Sequence, residues 1–239
     1  MLPSSHSDPY EIDVQALMRG LVHELRNPLS AVLTASSLVQ GGPDADEETV
    51  MLLEVIQKEA RRMNRILTEF SHFVKPPKPQ VETFDLGALV CQVAAALHRD
   101  GAFQDVEIYK RMERPVMVNG DSAQTEAALR HVLENAEQAL KEGGLLQMWS
   151  EEDDDQGCVL IEDSGGELHT DIVQHAFQPF FSTKPAATGL GLSIARITLL
   201  AMGGDITIEA GGKGARLRLC LPMATQVESE SQIEHALNG

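Results

Sequence analysis

The chain has 239 residues, a length that indicates one medium domain or two small ones. Its residues are 43% hydrophobic and 23% charged, an ordinary balance for a globular protein. Its formal net charge of −17 opposes contact with nucleic-acid phosphates, which disfavours a DNA- or RNA-binding function. No apolar run approaches the roughly 18 residues that a membrane span requires, and the N-terminus lacks the pattern of a signal peptide. We therefore expect a cytoplasmic protein with no membrane segment.

The cysteines are Cys91, Cys158 and Cys220. None of them forms a C-x-x-C pair, and their odd number argues against a disulfide framework. We expect all three to be small, buried apolar side chains in a reducing compartment.

Two long amphipathic helices open the chain. In the first, apolar residues recur every three or four positions over roughly 28 residues, until the stop signal at Gly41, Gly42 and Pro43. The second carries an apolar seam of three heptads from Leu53 to Val74. One such hairpin buries its apolar stripes poorly, whereas two hairpins make a four-helix bundle. The pattern therefore predicts a homodimer through this segment.

The long helical pattern ends at the prolines at 76, 77 and 79, which cannot continue a helix and favour an extended backbone. Shorter helix and strand patterns follow. The remaining pattern predicts an α/β sandwich. Its helices are expected over 84–99, 121–141, 170–177 and 190–202, and its strands over 106–110, 116–118, 145–151, 158–163, 205–210 and 215–222. The predicted organisation is a flexible N-terminus (1–10), a helical hairpin (11–75), a linker (76–82), an α/β domain (83–222) and a polar tail (223–239).

His23 is the residue of the first helix that most suggests chemistry. It lies two residues from both Leu21 and Leu25, about 200° around the helix from each, and so points away from the main apolar stripe. The carboxylate of the adjacent Glu24 can accept a ring proton and sharpen the other ring nitrogen as a nucleophile. Asn27, one turn further on the same face, can orient a water for hydrolysis of a phosphoryl group.

The octet HELRNPLS, residues 23–30, resembles the H-box of sensor histidine kinases. The resemblance implies that His23 is phosphorylated on its ring and that the hairpin is dimeric. It also implies that Glu24 is the general base, and that Asn27 serves the reverse, phosphatase reaction.

Four further stretches resemble the ATP-binding domain of the same family, in the family's order and spacing. They are HVLENAEQAL at 131–140, DSGGEL at 163–168, FQPFFSTK at 177–184 and TGLGLSIA at 188–195. The resemblance implies that Asn135 holds Mg²⁺ against the triphosphate, that Asp163 accepts a hydrogen bond from the adenine amino group, and that Gly165 lets the backbone approach the ring. It further implies phosphate contacts by Thr183, Lys184, Thr188, Gly189 and Gly191, the last three beside a helix N-terminus.

Two details refine the resemblance. The short lid at 185–187 is similar to that of the nitrogen-regulation branch, which typically serves transcriptional activators. Glu167 stands where the first glycine box normally has its second glycine, which raises a Cβ penalty and places a negative charge near an anionic ligand.

The sequence thus predicts a dimeric four-helix bundle followed by a Bergerat-type α/β sandwich. The expected function is Mg²⁺- and ATP-dependent autophosphorylation of His23, followed by phosphoryl transfer to an aspartate of a response-regulator receiver domain. The input is expected from a partner protein or from a sensor region missing before residue 11.

Two alternatives stay open. One is a phosphatase-only or phosphotransfer scaffold whose ATP site is degenerate at Glu167. The other is an ATPase clamp of the gyrase, heat-shock or mismatch-repair type. Those clamps place a glutamate base four residues before the Mg-binding Asn, where this chain has His131, and they lack the H-box hairpin.

Overall fold

The fold is described from a computed structural model that covers residues 14–39, 47–166, 169–184, 187–210 and 213–224. Its helices are α1 (Val14–Leu38), α2 (Glu47–Val74), α3 (Leu86–Arg99), α4 (Ser122–Ala139), α5 (Thr170–His175) and α6 (Gly191–Leu200). Its strands are β1 (Glu82–Asp85), β2 (Val106–Arg111), β3 (Met117–Gly120), β4 (Gly144–Asp153), β5 (Gln156–Asp163), β6 (Asp205–Ala210) and β7 (Ala215–Pro222). Contacts divide the chain into two compact units: Met1–Lys78 with His169–Ile197, and Pro79–Leu168 with Thr198–Gly239.

The predicted helical hairpin is the core of the first unit. Helices α1 and α2 pack against each other, with Leu21 and Ala35 of α1 and Ile66 of α2 buried. Pro28 lies inside α1, which continues on both sides of it. The predicted stop at residues 41–43 lies outside the described residues.

A second apolar surface of the hairpin stays exposed within one chain. On α1 it consists of Met18, Val22, Leu29 and Leu33, and on α2 it includes Leu53, Leu67 and Val74. The α2 positions belong to the seam that the heptad pattern predicts, so part of that seam faces away from α1. Among the helices that the structure describes, none is both long and apolar enough to cross a bilayer.

The second unit contains a five-stranded sheet in the order β2-β4-β5-β7-β6. Strand β2 runs parallel to β4, and the other neighbours are antiparallel. Helices α3 and α4 pack together and against the central strands. The core holds Val90, Val93, Leu129 and Leu133 from the helices and Leu146, Met148, Ile161, Leu217 and Leu219 from the strands. All six predicted strands are present, with ends within two residues of those expected.

One strand escaped the sequence pattern. Residues 84 and 85 were expected to begin a helix, but they belong to β1, which pairs antiparallel with β3. Asp85 caps the following helix instead, because its Oδ1 accepts hydrogen bonds from the backbone N–H groups of Gly87 and Ala88 at 3.0 and 3.2 Å. A third donor, the N–H of Val116 at 3.2 Å, is 31 residues away. Local propensity does not reveal such a long-range pairing.

The expectation that all three cysteines are unpaired is wrong for two of them. Cys158 of β5 and Cys220 of β7 are directly opposite each other in the antiparallel register and form a disulfide, while Cys91 is free. The odd count is compatible with one bridge and one thiol. The pair is separated by 62 residues of sequence, and only the strand register brings it together.

Candidate functional site

His23 projects outward from α1. Its side chain is 71% exposed, although its neighbour Leu21 is buried against the rest of the first unit. This agrees with the direction predicted from helical periodicity, since a residue about 200° from the buried stripe points to solvent. The imidazole is therefore open to a visiting group.

Glu24 lies beside the His23 ring and is largely shielded from solvent. Its Oε1 is 3.6 Å from His23 Nδ1, and its side chain is 20% exposed. That distance is longer than a hydrogen bond but within the range that a small side-chain rotation closes on formation of a reacting complex. The other oxygen, Oε2, lies 3.9 Å from Nη2 of Arg62 on α2.

Asn27 is exposed one turn after His23, on the same face of α1. The next residue, Pro28, has no backbone N–H, so the carbonyl of Glu24 loses its helical donor. This local gap in the helical hydrogen bonds coincides with the segment that contains the three candidate residues.

The second unit positions Asn135, Asp163 and Gly165. Asn135 is half-buried on α4, and Asp163 is buried at the end of β5. The Asp163 Oδ1 accepts a hydrogen bond from the N–H of Gly165 at 2.9 Å. A Cβ at Gly214 would lie 2.3 Å from the Asp163 carbonyl oxygen, so a residue without a side chain is required beside this carboxylate. The aspartate is thus held rigidly where a strand ends and a glycine-rich turn begins.

The first unit positions the other predicted nucleotide residues. Thr183 is exposed, Lys184 is half-buried, and Gly191 begins α6, where backbone N–H groups are available to an anion. The hydroxyl of Thr188 accepts a hydrogen bond from the N–H of Leu190 at 3.3 Å. It also donates to Oε2 of Glu69 on α2 at 2.7 Å.

Gly189 holds the phenylalanine-rich loop close to this turn. Its φ of +68° is the left-handed conformation that favours glycine, and a Cβ there would lie 2.5 Å from the carbonyl carbon of Phe180. The N–H of Phe180 donates to the carbonyl of Gly189 at 3.0 Å. Both loops are therefore fixed against each other by their backbones.

The same segment packs on the hairpin within the first unit. A buried apolar cluster joins Leu17, Phe73, Leu190 and Ile194, with Phe70, Phe180 and Ile197 packed around it. A Cβ at Gly20 would lie 2.4 Å from the Phe180 ring, so α1 accepts this ring only because residue 20 is glycine. Sequence reasoning missed this contact, although a glycine inside a helical pattern, one turn before His23, was the available signal.

The described residues also bear on Mg²⁺ binding. They contain no group of three or more His, Cys, Asp or Glu side chains that could hold a metal ion. Mg²⁺ usually keeps several waters and is held by one or two protein oxygens together with substrate phosphates. The single amide oxygen of Asn135 fits a metal ion that arrives with a nucleotide, and does not fit a permanently bound metal.

A cavity of about 690 Å³ opens beside Asp163 in the second unit. Its lining includes the carboxylates of Asp105, Glu107 and Glu162 and one lysine, Lys213. Three further carboxylates oppose a polyphosphate chain. This cavity therefore does not supply the phosphate site. Glu167, Pro185 and Ala186, which the sequence analysis singled out, lie outside the described residues.

Two protein-family models match the chain. The His Kinase A (phospho-acceptor) domain matches residues 13–78, which include His23, Glu24 and Asn27. The histidine kinase-, DNA gyrase B- and HSP90-like ATPase matches residues 120–225, which include every residue predicted to contact the nucleotide. The match over 13–78 disfavours the ATPase-clamp alternative.

Curated relatives match both regions together. The chain is 29% identical over 209 residues to the sensor histidine kinase ZraS of Escherichia coli O157:H7, covering 87% of this chain and 46% of ZraS. It is 30% identical over 214 residues to the signal transduction histidine-protein kinase AtoS of Escherichia coli (strain K12), covering 88% of this chain and 35% of AtoS. The chain thus spans less than half the length of these relatives.

A solved structure has the same fold. The histidine kinase ThkA, in complex with the response regulator protein TrrA, matches with a TM-score of 0.75 at 22% identity, covering 88% of this chain and 62% of ThkA. The helical hairpin lies in the region that the phospho-acceptor model matches, and most of the mixed sheet lies in the region that the ATPase model matches. On these grounds the chain belongs to the two-component sensor histidine kinases.

Proposed function

We propose that this chain is a kinase core that uses ATP to phosphorylate His23 and then passes the phosphoryl group to an aspartate of a response-regulator receiver domain. The observation that carries the proposal is the His23–Glu24 pair, an exposed imidazole with a shielded carboxylate 3.6 Å from its Nδ1. A neutral imidazole is nucleophilic at one nitrogen when the other carries the proton.

The proposed chemistry uses the two ring nitrogens differently. The lone pair of His23 Nε2 attacks the γ-phosphorus of ATP, the bond from that phosphorus to the β,γ-bridging oxygen breaks, and ADP leaves with the electron pair. Glu24 Oε1 accepts the Nδ1 proton as positive charge develops on the ring. In the second step a carboxylate oxygen of the receiver domain attacks phosphorus, the P–N bond breaks, and the ring regains a proton.

The nucleotide-site residues have distinct proposed tasks. The buried carboxylate of Asp163 accepts from the adenine amino group, and Gly165 gives the ring access to the backbone. Thr183, Lys184, Thr188, Gly189 and Gly191 hold the phosphates, the last at the N-terminus of α6. When bound, Mg²⁺ neutralises phosphate charge, and Asn135 supplies its protein ligand. Asn27 orients a water in the reverse, phosphatase reaction.

We assign the exposed stripe of the hairpin, which contains Met18, Leu29, Leu53 and Leu67, to a second copy of the chain. Two hairpins placed with these stripes together form a four-helix bundle and remove the apolar surface from water. The other proposed partners are the receiver domain of a response regulator and an upstream sensor protein or domain. The first is supported by the fold match to ThkA, which is in complex with the response regulator protein TrrA.

The test is phosphoryl labelling of the full chain with γ-labelled Mg-ATP. We expect acid-labile label in the wild type, none in His23→Ala, and unchanged label in His72→Ala, which removes another exposed histidine of the same hairpin. Label that survives His23→Ala contradicts the proposal. An unlabelled wild type that becomes labelled after Glu167→Gly would instead select the scaffold with a degenerate ATP site.

A further inference from the structure

Arg62 is the one cation described in contact with Glu24. It lies on α2, across the hairpin from His23, and its side chain is 25% exposed. Its Nη2 is 3.9 Å from Oε2 of Glu24, and its Nη1 is 3.8 Å from Oε2 of Glu59, one turn earlier on α2. The guanidinium is therefore placed between two carboxylates, and one of them neighbours the proposed phosphorylation site.

The hydrogen-bonding state of Arg62 is unusual. Its Nε is buried and has no hydrogen-bond partner among the described residues, and both ion-pair distances exceed hydrogen-bond length. A buried donor without a partner is disfavoured, and buried polar groups in folded proteins are normally satisfied. A purely structural arginine would gain by turning fully onto one carboxylate in a bidentate pair. The observed position divides it between Glu24 and Glu59 instead.

The two oxygens of Glu24 have separate neighbours. Oε1 is on the His23 side, 3.6 Å from Nδ1, while Oε2 is on the Arg62 side. A carboxylate that is free to rotate about its side-chain torsions loses this alignment, because adjacent residues on a helix do not face each other. An attraction from the neighbouring helix at Oε2 restrains the rotation and leaves Oε1 toward the imidazole.

We propose that Arg62 is a positioning residue for phosphoryl transfer at His23, acting by holding Glu24 so that Oε1 accepts the Nδ1 proton. Glu59 limits this hold because it draws the same guanidinium toward α2. This inference rests on the proposed kinase function, and it adds a residue on the second helix to a site otherwise built from the first.

The test compares three variants of the full chain by the initial rate of His23 labelling over a range of ATP concentrations, where kcat is the rate constant at saturating ATP and KM the ATP concentration at half that rate. Arg62→Gln removes the charge, Arg62→Lys keeps it, and Glu59→Gln releases the guanidinium from its competing partner. We expect Arg62→Gln to lower kcat about tenfold, because misplacing the base removes only part of the rate enhancement that general-base catalysis provides. The KM for ATP should stay within about twofold of the wild-type value. Arg62→Lys should recover part of the rate, and Glu59→Gln should keep at least the wild-type rate.

A spectroscopic readout separates positioning from a structural role. In chain labelled with ¹⁵N-histidine, the ring nitrogens of His23, assigned by comparison with His23→Ala, report which nitrogen carries the proton. We expect the wild type to favour the Nδ1–H form, and Arg62→Gln to shift the signal toward the Nε2–H form. A rate loss in Arg62→Gln with unchanged His23 nitrogen shifts overturns the proposal, as does a comparable rate loss in Glu59→Gln.

The two proposals fail in distinguishable ways. If the wild type takes no label, the kinase function fails, but the nitrogen shifts need no ATP and still test Arg62. If Arg62→Gln does not fold, as judged by circular dichroism, Arg62→Met replaces it, because methionine keeps an unbranched apolar stem in the half-buried position. Wild-type kcat in a folded variant of either kind overturns the positioning role.

Discussion

The hydroxyl of Thr188 donates a hydrogen bond to Oε2 of Glu69 at 2.7 Å, joining residues that are 119 positions apart. Thr188 belongs to the glycine-rich turn before α6, and Glu69 lies near the end of α2. Under the proposed function this hydroxyl faces a nucleotide phosphate. The hairpin carboxylate and the nucleotide then compete for one side chain.

This competition predicts the effect of Glu69→Ala on nucleotide affinity. Removing the acceptor frees the Thr188 hydroxyl, so Mg-ATP should bind more tightly by about 1 kcal/mol, or roughly fivefold, as measured by calorimetry. Glu54→Ala removes the same charge from an exposed position of the same helix and should leave the affinity unchanged. Weaker binding in Glu69→Ala would show that the carboxylate supports the nucleotide site.

The close approach of Gly20 and Phe180 predicts a coupled pair of substitutions. Gly20→Ala places a Cβ 2.4 Å from the ring. The overpacking should lower the free energy of unfolding, measured by urea denaturation, by about 1–3 kcal/mol. In a Phe180→Ala background the clash is absent. There Gly20→Ala should be neutral or stabilising by up to about 1 kcal/mol, because alanine is the better helix former. Additive effects would refute the contact.

Asp121 predicts a pH dependence of stability. Burial raises the pKa of this carboxyl, but the N–H groups of Gln80 and Gln124 donate to it at 2.8 and 3.0 Å, so the pKa lies below its ordinary value. A lowered pKa in the folded state gives stability that is complete above the unfolded value, about 3.9, and is lost as pH falls through the folded value.

Asp121→Ala should therefore lose about 1–2 kcal/mol of unfolding free energy at pH 7, since it also removes the N-cap of α4. The difference in unfolding free energy between Asp121→Ala and the wild type should become smaller below about pH 4, where the Asp121 carboxylate begins to be protonated. Asp121→Asn keeps an acceptor and does not titrate in this range, so its difference from Asp121→Ala should not change with pH. If the wild type instead became increasingly more stable than Asp121→Ala as the pH falls, the lowered pKa of Asp121 would be contradicted.

The Cys158–Cys220 bridge predicts a thiol count. In denaturant without reductant, a thiol reagent should modify one cysteine per chain, and after reduction it should modify three. Denaturant is needed because burial raises the pKa of the Cys91 thiol and so reduces its reactivity in the folded chain. Cys91→Ser should give no reaction before reduction. Three thiols without reductant would show that the bridge is absent.

The sequence predicted most elements because their signals are local. The heptad seam from Leu53 to Val74 lies within α2, and the strands β2–β7 end within two residues of the expected positions, because the apolar pattern of each element can be read from neighbouring residues. The strand β1 and the cysteine bridge were not predictable in this way. Each depends on a partner strand, β3 or β7, whose register is set by packing of the whole unit.

The same distinction applies to the candidate site. His23, Glu24 and Asn27 could be named together because they lie within five residues of one another, inside the octet that resembles the H-box, and Asn27 is one helical turn after His23. Arg62 and Glu69 belong to no sequence motif. They are identified only by their contacts with other elements, Arg62 with Glu24 Oε2 and Glu69 with Thr188 Oγ1.

The sequence by itself determined the hairpin and the α/β sandwich, and it predicted the proposed phosphorylation site at His23, because periodicity and motif spacing are properties of neighbouring residues. Only the tertiary structure decided which α2 side chains meet Glu24 and Thr188, and that Gly20 receives the Phe180 ring. Those contacts depend on how two helices and a loop are rotated and placed against one another. That arrangement is fixed by the packing of side chains far apart in the chain, such as Leu17, Phe73 and Leu190.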